Sequence, residues 1–192
     1  MSYQALVIPE DPTHDRYILK PLVERLLREA GKPQAKVSVM TNPRAQGYSA
    51  IKARFPEIFE NYRHLNLMLF LPDRDCHTLT DELEALERSA EVAGCRLLTC
   101  AAIEEVEVWL MAGHMDRLSA PWSEIRVECD PKERYFQRFL QAHSGEGLGD
   151  GRQQLMQETL RNFNGLLERC PELKTLLTQL SAEISTAQEN IQ

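Results

Sequence analysis

Two carboxylates one residue apart, Asp73 and Asp75, close an apolar run, Leu67-Met68-Leu69-Phe70-Leu71-Pro72. Such a run, bounded by Pro and charge, reads as a buried strand, and a chain that stays extended points alternate side chains to one side. The two carboxylates then converge. Hard cations such as Mg²⁺ take a few carboxylate oxygens and keep waters for a substrate, so this pair is a candidate metal platform at a strand end. An Asp-x-Asp triplet alone is more often a solvated turn, and a second acid at a second strand end changes its weight.

That second acid is Glu10. Ala5-Leu6-Val7-Ile8 reads as a strand and runs into Pro9-Glu10-Asp11-Pro12, after which Ile18, Leu19, Leu22, Val23, Leu26 and Leu27 recur at helical spacing up to Gly31. Asp11 or Thr13 is expected to cap this helix, with Pro12 in its first turn. Glu10 has no such structural duty. A third acidic group lies in Ile103-Glu104-Glu105-Val106-Glu107-Val108-Trp109-Leu110. A helix starting here puts Glu104 in its first turn, buries Val106, Trp109, Leu110 and Gly113, and leaves Glu107 off the buried face. An extended chain at Glu105 instead sends Glu105 and Glu107 to one side. His14, His77 and His114 each follow one acidic group and would rim a common site if the strand ends meet.

Other chemistries lack their signatures. There is no GxxxxGK[ST] loop and no nucleophile elbow. The five cysteines, Cys76, Cys95, Cys100, Cys129 and Cys170, contain no C-x-x-C pair, so zinc is not expected and the thiols read as reduced. A net charge of −7 excludes a protein whose whole surface attracts nucleic acid. Two local basic groups remain, Arg44, Lys52, Arg54 and Arg63, and later Arg126, Lys132, Arg134 and Arg138.

The elements that must carry these residues alternate. Strands are expected over 35–40 and 95–100 besides the two above, and helices over about 49–61 and 79–93, the latter closed by Gly94. This order predicts an α/β fold, a Rossmann-like, mainly parallel sheet flanked by helices, with sites at the carboxyl ends of its strands. Residues 1–144 form that domain. A Gly-rich break at 145–151 precedes a C-terminal helical extension over 145–192, a hairpin with helices at about 152–169 and 172–188 that packs on the domain or docks a partner. The chain of 192 residues has no apolar run near the ~20 residues of a membrane span and no secretory leader pattern, so the expectation is a cytoplasmic protein without membrane contact.

A strand ending in Glu10, a helix, and a later strand ending in Asp73-Arg74-Asp75 together resemble the TOPRIM domain of topoisomerases, primases and OLD-type nucleases. The segment Glu105-Val106-Glu107-Val108-Trp109-Leu110-Met111-Ala112 further resembles a TOPRIM-like family of unknown function whose genes lie beside AAA or ABC-type ATPases. The resemblance covers residues 3–113. It implies that Asp73 and Asp75 hold Mg²⁺ or Mn²⁺, that Glu10 completes the site or moves a proton, and that Glu105 or Glu107 serves a second metal. It implies a nuclease that cleaves nucleic acid, DNA rather than RNA, beside an ATPase partner in an anti-phage or DNA-maintenance system. The chain departs from the pattern in one place: Asp11 and Pro12 stand where a Gly usually follows the first Glu. That departure and the acidic charge suit a second reading, a noncatalytic subunit that binds and regulates a partner. A third reading, a receiver-like phosphate-binding domain, lacks the strand-end Lys it would require.

Overall fold

The computed structural model describes residues 2–143, 145 and 147–189. Strands β1 (Gln4–Ile8), β2 (Lys36–Val39), β3 (Leu67–Phe70) and β4 (Leu97–Thr99) form one sheet in the order β2-β1-β3-β4, all pairs parallel. The α/β expectation holds. Alternation along the strands builds two cores: Ala5, Val7, Leu67 and Leu69 face one side of the sheet, Leu6, Ile8, Met68 and Phe70 the other.

The first face is covered by α1 (Arg16–Glu29), whose Ile18, Leu19, Leu22, Val23, Leu26 and Leu27 are all buried. The second face is covered by α2 (Tyr48–Lys52), α3 (Phe55–Tyr62) and α4 (Thr80–Val92) through Ile51, Phe55, Ile58, Phe59, Leu83 and Leu86. At roughly 1.5–3 kcal/mol for each fully buried large apolar side chain, these two layers dominate the stability. The chain leaves β1 toward β2 with α1 on one face, then returns past β1 to β3 with its helices on the other. Crossovers of one hand require this, and they place the topological switch point between β1 and β3.

Two helix expectations change in this half of the chain. The single helix over 49–61 is two, because Pro56 fits only a helix's first turn and a new helix starts at Phe55. Neither Asp11 nor Thr13 caps α1, and Pro12 precedes it: α1 starts after Asp15, and Asp11 Oδ1 instead accepts from the Thr13 N–H at 2.8 Å to form a separate turn.

Beyond β4 the chain forms α5 (Glu107–Met111), α6 (Trp122–Ile125), a π-helical turn (Lys132–Phe136) leading into α7 (Gln137–His143), and then α8 (Arg152–Arg161), α9 (Phe163–Arg169) and α10 (Pro171–Glu189). The boundary expected at 144/145 falls where residues 144 and 146 lie outside the described ones. The helix expected over 152–169 breaks at Asn162, whose side chain accepts from the Gly165 N–H at 3.1 Å and caps α9. Leu155, Met156, Leu166, Leu173, Leu176 and Leu180 join the core that contains α1 and α5. Just past α5 the chain comes so close to α8 that a Cβ at Gly113 would lie 2.2 Å from Thr159 Oγ1. The Glu172 carboxylate of α10 takes the Arg126 guanidinium at 3.0 and 3.1 Å and the Trp109 Nε1–H at 2.9 Å. Arg126 also donates to the Ile103 carbonyl at 2.9 Å, which ties α10 to the loop bearing the third acidic group.

Candidate metal centre

Adjacent strands β1 and β3 align Ile8 with Phe70, so the residues that follow them meet in the crevice at the switch point. There the Asp73 N–H donates to Glu10 Oε1 at 3.1 Å. Asp73 itself bridges in parallel to Ala102, and its Oδ1 accepts from the Val106 N–H at 2.8 Å. Asp73, Asp75 and Glu105 each offer a carboxylate oxygen, and the three atoms lie within 4.8 Å of one another. A set of oxygens alone suits Mg²⁺, Mn²⁺ or Ca²⁺ rather than a metal that prefers nitrogen or sulfur.

The Asp pair converges by a different route from the extended chain expected. Asp75 and Cys76 have φ of 47° and 57°, in the left-handed region that Asp tolerates better than most residues. Glu104 holds them there. Its carbonyl accepts from the Arg74 and Asp75 N–H groups at 2.7 and 3.2 Å, its Oε2 accepts from the Cys76 N–H at 2.5 Å, and the Arg74 guanidinium grips both carboxylate oxygens. Burial pushes the Glu104 carboxyl up, yet the Arg74 and Cys76 hydrogen bonds outweigh it and its pKa lies below the ordinary range.

Glu107 departs from the helix expectation, since it starts α5 fully buried. The Lys132 ammonium lies 2.9 Å from its Oε1. The Lys132 backbone N–H meanwhile donates to Glu105 Oε2 at 2.6 Å. One residue of the π-helical turn thus touches both glutamates. Asp15, only 2% exposed, joins this group and accepts the Asp11 N–H at 2.8 Å.

Crowded and buried in one crevice, several of these acids have raised pKa values. Burial, then the Asp75 charge, pushes Glu10 up to about 7. Burial, then Glu107, does the same for Asp15, to about 7. Burial also lifts Glu105 to about 7, against the hydrogen bond from Lys132. Asp73 lies well above its ordinary value through burial, Glu107 and Asp15, and Asp75 is raised chiefly by burial. Burial would lower the Lys132 ammonium, but Glu107, Asp15 and Asp73 outweigh it and raise its pKa. A bound cation would replace these protons and relieve the repulsion.

No family model, no curated protein and no solved structure matches the chain. The assignment of roles therefore stands on geometry. Of the expected site residues, Asp73, Asp75 and Glu105 meet as a ligand set, Glu10 adjoins it through the Asp73 amide, and Glu107 is engaged by Lys132. Of the histidines, His14 sits 2.7 Å from Asp11, and His114 is buried with Nε2 3.0 Å from the Leu155 carbonyl, within the helical core.

The cysteine expectation fails in one pair. Cys76 and Cys129 form a disulfide between the Asp75 loop and the segment leading to Lys132, while Cys95, Cys100 and Cys170 are free and buried. Neither half-cystine stands in a motif, and 53 residues separate them. Asp15 also escaped the sequence reading, as did the parts that Glu104 and Lys132 play. No pattern marks Asp15, Glu104 was placed in the first turn of a helix, and Lys132 stood out only as one of a basic group. Among the described residues no helix is long and apolar enough to cross a membrane.

Proposed function

We propose that this chain is a metal-dependent nuclease of TOPRIM type that hydrolyses nucleic-acid phosphodiester bonds. The observation that carries the reading is the meeting of Asp73, Asp75 and Glu105 oxygens within 4.8 Å, at the switch point of a parallel sheet and beside Glu10. These three residues would hold Mg²⁺ or Mn²⁺, which supplies Lewis-acid stabilisation of the phosphoryl oxygens and of the attacking and leaving groups. Glu10, with its carboxyl pushed up to about 7, is suited to take a proton and return it near neutral pH. Lys132 places a fixed positive charge among the acids and holds Glu107 in place. Asp15 supports the turn after Glu10 through the Asp11 amide. The likeness of residues 105–112 to an ATPase-associated family supports an ATPase partner in an anti-phage or DNA-maintenance system, with DNA as substrate.

The noncatalytic reading keeps one observation in its favour: Lys132 already engages Glu107, the acid expected to serve a second metal. The two readings part in one experiment. Mn²⁺ binding is followed by calorimetry on the wild type and Asp73→Asn, with plasmid nicking measured on the same samples. Binding and nicking that are both lost in the variant support the nuclease. Binding without nicking, with or without an ATPase, supports the noncatalytic subunit, and no binding at millimolar Mn²⁺ sinks the metal site.

A further inference from the structure

A second feature opens beside the acids. A cleft of about 670 Å³ begins at Pro12 and Thr13 and runs between the start of α1 and the loop after β2. Pro12 is two residues from Glu10, so the mouth lies within about 7 Å of the Glu10 backbone. The opposite wall is anchored to the same residue, because the Gly47 N–H donates to the Glu10 carbonyl at 3.0 Å. The cleft and the acidic crevice therefore share the turn after β1 and hold a fixed relation to each other.

The lining is chemically unlike the acidic crevice. Arg16 and Arg44 both line it, and among the described residues neither enters an ion pair. Most of the other cations expected to form patches are spoken for: Lys52 by Glu82, Arg54 by Glu57, Arg126 by Glu172, Lys132 by Glu107 and Arg134 by Glu128, while Arg63 and Arg138 line no part of this cleft. In an acidic protein, two guanidinium groups without acidic partners around one concavity suit an anion, and the planar guanidinium fork matches phosphate. The apolar wall is Tyr17, Met40 and Pro43. Tyr17 is held against the Gly149 backbone so closely that a Cβ at Gly149 would lie 2.2 Å from its ring. A volume of this size takes one nucleotide and is too small for a duplex.

We infer that this cleft is a subsite for one unpaired nucleotide of a single strand, its phosphate on Arg16 and Arg44 and its base against Tyr17, Met40 and Pro43. The inference rests on the nuclease reading and deepens it: the strand leads from this subsite past Glu10 to the Asp73 crevice, so the substrate is single-stranded or frayed nucleic acid. Single-strand sites commonly pair a positive groove with an aromatic or apolar platform in this way.

The test is fluorescence anisotropy of a labelled oligothymidine in chelator, across a salt series, with thymidine monophosphate as competitor. In Arg16→Ala/Arg44→Ala, binding is expected to weaken at least tenfold, and the slope of log K against log salt to fall by about 0.7, the value for one neutralised phosphate on a single strand. The Arg16→Lys/Arg44→Lys protein is expected to keep that slope. Both arginines are exposed, so folding is unaffected. An unchanged slope in the alanine variant, absence of oligothymidine binding, or displacement by equimolar thymidine monophosphate overturns the inference, the last by making the occupant a free nucleotide. The nuclease reading fails separately. Arginine-dependent oligothymidine binding without Mn²⁺ binding or nicking would retire the hydrolase and leave the subsite standing, whereas nicking that survives loss of both arginines retires the subsite alone.

Discussion

Glu104 is not one of the three acids that could hold a cation, yet it sets the turn that brings Asp75 to the other two. A left-handed Asp costs of the order of 1 kcal/mol, and the turn persists because the Glu104 carbonyl and carboxylate together collect three backbone N–H groups and a guanidinium. Replacing the charge while keeping the shape isolates that role. Glu104→Gln is expected to weaken Mn²⁺ binding by 10–100-fold with near-native circular dichroism, since outer residues that orient ligands typically carry such factors. Calorimetry on the variant checks this, and unchanged affinity would make the clamp merely structural. Glu10, Asp73 and Asp75 were legible because each follows an apolar run that could only be a buried strand. Glu104 was not, because its value lies in amides 28 to 30 residues away that only the fold brings near.

At the scale of elements, the centre is assembled by joining segments that carry no signal for each other. The Cys76–Cys129 disulfide links the Asp75 loop to the stretch before the π-helical turn, with 53 residues between the half-cystines. Loop-closure entropy for such a span is worth about 4 kcal/mol in the chain-entropy account. Cys76→Ser/Cys129→Ser is expected to lose 2–4 kcal/mol in urea unfolding and to bind Mn²⁺ less tightly, because Asp75 and Lys132 both lie within three residues of a half-cystine. A variant that matches the wild type in both measurements would show that Glu104 suffices. On the far side of the centre, Glu172 satisfies Arg126 and Trp109 together, and the Arg126 and Glu172 side chains are only 13% and 11% exposed. Glu172→Ala leaves the part-buried Arg126 guanidinium without its carboxylate, only the Ile103 carbonyl remaining to it, and the Trp109 indole N–H without a partner, and the expected loss is about 2–4 kcal/mol by thermal or urea unfolding. A loss below 1 kcal/mol would mean that α10 is held by its apolar stripe alone.

The buried acids give the whole molecule a pH dependence. Glu10, Asp15 and Glu105, all raised to about 7, keep protons in the folded state that the unfolded chain gives up near pH 4–4.5. Between those limits the folded state binds more protons than the unfolded one, so the stability of the metal-free protein falls as pH rises from about 4.5 to about 7. Carboxyls with lowered values, such as Glu104, act oppositely and withdraw their stabilisation only as pH drops below the ordinary carboxylate range. In chelator the Tm is therefore expected to be higher at pH 5 than at pH 8. Saturating Mn²⁺, which replaces the protons, is expected to remove or reverse that slope. A Tm that rises with pH in chelator would mean the acids are ionised and tolerated without a cation.

What the sequence determined by itself was the layer arrangement and the strand-end acids. Period-two and period-3.6 apolar patterns are local, and a buried parallel sheet between helices is the structure that satisfies them together. It also marked Glu105 and Glu107 but left open how the chain presents them. The tertiary structure decided that: Glu105 faces the Asp pair, and Glu107 is buried against Lys132. The same holds for Asp15, the disulfide and the Glu104 clamp. Each of these depends on which side chains the sheet order and helix packing bring together, and such long-range pairings leave no trace in residue spacing.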